Sequence, residues 1–255
     1  MLHQFGHSVS KHYHSATYNG DVCGYHFHNS FEVIYAVEGN MNVVVNTVDI
    51  ELNQGEILLI SPAVVHSLDG NKTCKYFISI FTQDFVSEFT SHGMTSSFYH
   101  FVPDETIADM IHKYLINSSI TDRYMIKSCL YGICSNALNN HIKYDSDETD
   151  DTFSFIVNKY ISENFQHEIK RKDIADALNY EEHYFSYLFS KHMNTTFKKY
   201  LNIYRFAYAQ NLLLTTNMPI SQIAMDSGFS SIRSFNEVFK SLSGLSPAKF
   251  RATSE

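Results

Sequence analysis

The sequence predicts an α+β chain of two domains: an antiparallel β-barrel followed by helices, then an all-α domain with two helix-turn-helix units joined by a helix. Three observations lead there. A chain of 255 residues has room for two separate cores. Apolar residues alternate in short runs up to Phe85 and recur at helical spacing afterwards. The last hundred residues contain an internal duplication. Composition agrees with a globular class, since hydrophobic residues make up 44% and charged residues 18% of the chain, which favours neither disorder nor a fibre.

Between Tyr25 and Phe81 the runs YHFHNSFEVIYAV, MNVVVN, VDIEL, EILLIS and KYFISIF are β-branched and aromatic. Gly39-Asn40, Asn46-Thr47, Asn53-Gln54-Gly55 and Asp69-Gly70-Asn71 separate them with turn chemistry, which predicts a small antiparallel barrel or sandwich. Helices follow over ETIADMIHKYLINS and over Asp122 to Ile142. In the second, Met125, Ile126, Leu130, Ile133, Cys134 and Leu138 spread over more than one face, and the surplus is read as a dimer surface.

The stretch Lys143 to Thr152, KYDSDETDDT, is acidic and polar and is read as a linker. The boundaries are then 1–145 for the β-rich domain with its helices, 146–152 for the linker and 153–255 for the helical domain. Charge divides at the same place. Residues 1–150 hold 7 basic against 17 acidic side chains, and residues 151–255 hold 12 against 10. An overall charge of −8 therefore conceals a weakly basic second half, so the halves meet different partners.

No apolar run approaches the ~20 residues of a bilayer-spanning helix, and MLHQFGHS lacks the pattern of an export signal. The four cysteines show no pairing motif and are read as reduced thiols of a cytoplasmic protein.

In the second half DIADALNY, FSYLFSK and MNTTFKKY are echoed by QIAMDSGF, FNEVFKS and SGLSPAKF, with matching residues 49 or 50 apart. Each copy reads as a short helix, a turn and a second amphipathic helix. In the later copy Ile220, Ile223 and Ala224 face inward, Gly228 suits a left-handed turn, and Phe235, Val238, Phe239 and Leu242 repeat at i, i+3, i+4 and i+7. Ser231 precedes that helix, and Arg233, Asn236, Glu237 and Lys240 occupy its opposite face. In the earlier copy Phe185, Leu188 and Phe189 face inward, and His183, Ser186 and Tyr187 look outward. These outward residues, with Lys199 on the connecting segment, are the candidate DNA contacts. An i, i+4 ion pair is the competing reading of Arg233 and Glu237. Lys198, Lys199 and Arg205 are expected to add general attraction to phosphate. The segment TFKKYLNIYRFAYAQNLLLTT predicts one connecting helix ending before Pro219.

His26, His28 and Glu32 share parity, so a single strand would present all three on one face. Gly20, His26, His28, Glu32 and Gly39 resemble the first cupin motif without a break. Gly55 to His66 resembles the second less closely, since Ser61 and Ala63 stand where that family usually has proline and glycine. The resemblance implies that His26, His28, Glu32 and His66 meet inside the barrel, where three imidazoles and a carboxylate would suit a transition metal.

The run ISQIAMDSGFSSIRSFNEVFKSLSGLSPAKFR, Ile220 to Arg251, resembles the signature of the AraC/XylS family of bacterial transcription regulators. With the cupin-like half and its two helices, the likeness covers nearly the whole chain. It implies base contacts from His183 and Tyr187 around Phe185 and from Arg233 and Glu237 around Phe235. The first pair departs from the aromatic and basic residues frequent there. The resemblance thus implies a non-enzymatic, cytoplasmic regulator of promoter DNA, dimeric, with RNA polymerase as a candidate partner. Its barrel senses a small-molecule effector at His26, His28, Glu32 and His66, or serves dimerisation alone; no cofactor is assigned, and the same four residues are only minor candidates for a metal. The competing reading is a metal-dependent cupin enzyme with an appended DNA-binding domain.

Overall fold

The computed structural model describes residues 13–70, 73–93, 97–116, 122–142 and 148–252. The opening residues that were read for an export signal lie outside these. Among the described residues nine strands come first: β1 (Tyr13–Asn19), β2 (Val22–His26), β3 (Phe31–Glu38), β4 (Met41–Val45), β5 (Val48–Leu52), β6 (Ile57–Ile60), β7 (His66–Gly70), β8 (Lys75–Phe81) and β9 (Phe98–Phe101). They form two antiparallel sheets, ordered β1-β8-β3-β6-β9 and β2-β7-β4-β5. The expected barrel is thus a pair of sheets.

The continuous apolar run of β3 is explained by its place in the larger sheet. Ile34 and Ala36 point between the sheets, while Phe31, Val33 and Tyr35 point to the other face. Helix α1 (Glu105–Met110), extended by a wider turn at Ile111–Ile116, and helix α2 (Arg123–Asn140) supply residues that cover that second face. A strand covered on both sides has no polar face to display. The same covering accounts for most of the apolar residues of α2. Ile126, Leu130, Ile133 and Cys134 are buried against the sheet, and of the six apolar residues only Leu138 is exposed.

The helical half consists of α3 (Glu148–Asn164), α4 (Arg171–Ala177), α5 (Glu182–Met193), α6 (Phe197–Thr215), α7 (Ile220–Asp226), α8 (Ile232–Ser243) and α9 (Pro247–Ala252). Because α3 begins at Glu148, the later part of the presumed linker is helical; residues 143–147 lie outside the described residues. The connecting helix α6 has 19 residues, about 28 Å of rod, and packs on both repeats.

The duplication extends to backbone detail. Asn179 and Gly228 hold left-handed conformations (φ 56° and 82°) at the two helix-turn-helix turns, and Asn194 and Gly244 (φ 48° and 73°) end α5 and α8 in the same way. Asparagine tolerates this region and glycine enters it freely. Gly228 is also crowded, since an added Cβ would lie 2.4 Å from the Phe165 carbonyl oxygen, whereas at Gly55 (φ 86°) it would meet nothing within 4 Å. Arg205 closes the same corner by donating to the carbonyls of Phe165 and His167 at 2.9 and 2.8 Å. Arg205 thus has a structural role at this corner.

Gly55→Ala should cost about 1–2 kcal/mol of stability from backbone strain alone. Gly228→Ala should cost clearly more, because the Phe165 carbonyl must also move. Urea unfolding of the two variants, followed by far-UV circular dichroism, checks the order; equal losses would show that the crowding is relieved without cost.

Candidate functional site

On the helical half, the second member of each repeat stands free of the core on one face. Helix α8 buries Phe235 and Phe239 and exposes Arg233, Asn236, Glu237 and Lys240, while Leu242, expected inside, lies at the surface. Arg233 Nε donates to Glu237 Oε1 at 3.0 Å with the side chains 89% and 66% exposed, so the anticipated i, i+4 pair is present. Exposed pairs of this kind are worth only ~0.3–0.5 kcal/mol. A base edge would displace it at little cost. Ser231 caps α8, its hydroxyl accepting from the Ser234 amide.

Helix α5 buries Phe185 and Phe189 and exposes His183 and Tyr187, with Ser186 half-buried and its hydroxyl donating to the Glu182 carbonyl. Sequence reasoning missed Tyr184, which is exposed and stacks on Tyr187, and Ile232, exposed in the first turn of α8. The outward spacing of Tyr184 and Tyr187 was the available signal. The two helices differ at their caps. Glu181 caps α5 with a carboxylate accepting from the His183 and Tyr184 amides, which hold its carboxyl below the usual range. This places a negative charge where a phosphate would approach, whereas the α8 cap is neutral. Lys198 and Lys199 are exposed at the start of α6.

Inside the sheets the four candidate effector residues do meet, but not on one strand. His26 ends β2, His28 lies in the connection, Glu32 is on β3 and His66 begins β7 opposite His26. The chain turns between Phe27 and Ser30, and the parity argument reached the right residues through a strand that is broken. Their ligand atoms lie within 4.8 Å of one another. Glu32 Oε2 is 2.8 Å from His28 Nε2 and 3.2 Å from His66 Nε2. Burial alone would raise the Glu32 carboxyl, but the charge and hydrogen bonds of His66 and His28 outweigh it and hold the group below the usual range. His26 is pushed down to about 3, by burial first and by His66 next. Such a cluster can hold a cation or a ligand rich in hydrogen-bond donors.

The cluster borders the interface between the halves. Phe27 packs on Phe165 and Tyr204, and Tyr25 on Phe206. At the centre Tyr200 Oη reaches the side-chain oxygens of Asn46 and Asn158, Tyr204 Oη donates to the Ala63 carbonyl at 2.9 Å and lies 3.1 Å from Asn158 Oδ1, and Asn158 Nδ2 donates to Ser97 Oγ at 3.0 Å. Burial raises both tyrosine hydroxyls, so both remain donors. Ala63 adopts φ 67°, the left-handed conformation that suits the glycine usual at this place in the cupin motif.

Comparison with known proteins gives the following. The family model described as "AraC-like ligand binding domain" matches residues 9–128, and the model described as "Helix-turn-helix domain" matches residues 174–253. The Melibiose operon regulatory protein of Escherichia coli (strain K12) is 23% identical over 258 residues, covering 90% of this chain and 84% of that protein. The probable transcriptional regulator LumQ of Photobacterium leiognathi is 24% identical over 89% of this chain and 91% of its own length. An uncharacterized HTH-type regulator of Bacillus subtilis is 32% identical over 91 residues, only 36% of this chain and 12% of that protein. Among solved structures ToxT of Vibrio cholerae superposes with a TM-score of 0.61 at 17% identity, over 95% of this chain and 98% of its own, which shows the shared fold.

Tyr204→Phe leaves the Ala63 carbonyl without this donor inside the interface and should lower stability by about 1–3 kcal/mol. Equilibrium unfolding in urea measures it, and an unchanged midpoint would mean that the bridge does not hold the halves together.

Proposed function

We propose that this chain, which belongs to the AraC family of transcription regulators, reads promoter DNA mainly through α8 and adjusts that reading through an effector held at His26, His28, Glu32 and His66. The observation that carries the proposal is the free face of α8. Arg233 can give two donors to guanine O6 and N7, Glu237 can accept from cytosine N4, and Ile232 is placed for a thymine methyl. Asn236 and Lys240 extend the same face, with Ser231 at its neutral cap. His183, Ser186 and Tyr187 of α5 take the secondary position, behind the charge of Glu181. Lys199 attracts phosphate without regard to sequence.

The family models and the relatives favour a regulator over a metal-dependent cupin enzyme. No helix among the described residues is long and apolar enough to cross a membrane. A regulator of this kind would act in the cytoplasm, with RNA polymerase as a further partner. Tyr124, Tyr131 and Leu138 recur every seven residues along α2, the first and last exposed, and this stripe is our candidate for pairing with a second copy.

Arg233→Ala should cost about 1–3 kcal/mol on the cognate operator and relax preference at one base pair, while changing stability by no more than about 0.5 kcal/mol. Lys199→Ala should weaken binding to all sequences alike and flatten its salt dependence. Competition against a randomised operator library separates the two; an unaltered base preference in Arg233→Ala would remove α8 from the role of principal reader.

Sedimentation of the full chain at tens of micromolar should give a dimer, and Tyr124→Glu with Leu138→Glu should give a monomer of unchanged circular dichroism. A dimer indifferent to both substitutions would place the contact elsewhere.

A further inference from the structure

The two helical repeats keep separate cores, and α6 serves both. Tyr200, Leu201, Tyr204 and Ala207 belong to the first core, Phe206, Ala209 and Leu213 to the second. Packing angles on a helix scatter by about 15–20°. A swing of that size about α6 would move the far end of α8, 12 residues and ~18 Å long, by about 5 Å, more than the ~3.4 Å rise of one base pair. A shared helix is therefore too loose a joint for two readers that must agree on register.

A second contact joins the repeats. The carbonyls of Phe165 and His167 lie just past the end of α3, where a helix leaves carbonyls without partners of its own. Arg205 donates to both, Nε to Phe165 and Nη2 to His167. These N–H groups share one edge of a rigid planar fork, so the pair fixes direction as well as distance. The same guanidinium meets the second repeat, with its carbon 6.0 Å from the centroid of the Phe229 ring and Nε 3.0 Å from where a Cβ on Gly228 would stand. Gln166 Nε2 donates to the Asp226 carbonyl at 3.0 Å. The turn between α7 and α8 is thereby seated on the end of α3.

A helix-turn-helix does not need this contact for its own sake. Asn179 holds the same left-handed conformation in the first repeat with an exposed side chain, so it is the neighbours of Gly228 that leave no room there. The barrel reaches the same point. Phe27, flanked by His26 and His28, stands edge-on against Phe165 with centroids 5.5 Å apart. We propose that Arg205 is a positioning residue that locks the turn before α8 to the end of α3 and so sets α8 against α5. The chain then accepts its two DNA subsites at one separation, and Phe27 carries the barrel's hold to the same joint. The DNA consequence rests on the reading of α5 and α8 as recognition helices; the brace itself does not.

The test uses the full chain in two measurements. Spin labels on non-canonical residues at Ser190 and Ser241, exposed positions of α5 and α8, report the separation of the helices by double electron–electron resonance without DNA. The wild type should give one narrow distribution, widened at least about twofold in Arg205→Ala and less strongly in Phe27→Ala. If Arg205→Ala fails to fold, Arg205→Lys takes its place, since a single ammonium has no fork to span both carbonyls. Competition binding then compares operators with one base pair inserted or removed between the subsites, a change of ~3.4 Å and about 35°. It should weaken the wild type at least about tenfold and the Arg205 variant about threefold or less, each relative to its own best spacing. A variant that had merely lost stability would bind every operator less well by one factor and keep the wild-type ratio. That ratio would overturn the proposal, as would a broad wild-type distribution or one unchanged in the Arg205 variant; a distribution unchanged in Phe27→Ala would remove the barrel from the joint. A wild type without any sequence preference would sink the regulator reading and leave the distance measurement standing.

Discussion

The alternation of side chains around the end of β2 governs how this molecule is assembled. Gly24 leaves room for Gln210 of α6, since an added Cβ there would lie 2.2 Å from Gln210 Nε2. Tyr25 and Phe27 turn toward the helical half, and His26 and His28 turn between the sheets. β2 is an edge strand of its sheet, and α6 covers that edge. A protein with the same sheets and a different register here would lose both the cluster and the interface, because a shift of one residue exchanges the two faces.

Around that edge the interface is polar at its centre and aromatic at its rim. Tyr200, Tyr204, Asn46, Asn158 and Ser97 are all buried, and they bond mainly with one another and with the backbone at Ala63. A buried network of this sort contributes modest net stability when complete and costs much when one member is lost. Its value lies in geometry, since it admits one arrangement of the halves. The left-handed Ala63 is retained within it although alanine disfavours that conformation, which makes the loop before His66 the strained element joining cluster and interface.

The helical half follows a different logic, that of repetition. Caps, left-handed turns and phenylalanine cores recur at intervals of 49 or 50 residues, so α5 and α8 receive the same support from α6. What differs lies outside the repeated core. A carboxylate caps α5 and a hydroxyl caps α8, and His183 and Tyr187 on α5 stand where α8 carries Arg233 and Glu237.

The sequence by itself determined the two-domain order, the duplication, the length of the connecting helix, the outward residues of α8 and the identity of the four cluster residues. All of these are carried by periodicity, spacing and side-chain chemistry, which are local properties. It misjudged what depends on neighbours far along the chain. The apolar excess of α2 is absorbed by a sheet it could not reveal, Leu242 lies at the surface, and Arg205 serves two carbonyls about forty residues away. The strands β1, β7 and β9 carry weak patterns of their own and exist because partners pair with them. Only the tertiary structure decided that the chain breaks between His26 and Glu32 and still closes the cluster, and that each imidazole is oriented by a carbonyl. Those facts rest on contacts that no window of sequence contains, since the Glu32 carboxylate is met by His66 from 34 residues away and the segments bearing the histidines are held by Tyr200 and Tyr204 from the other half.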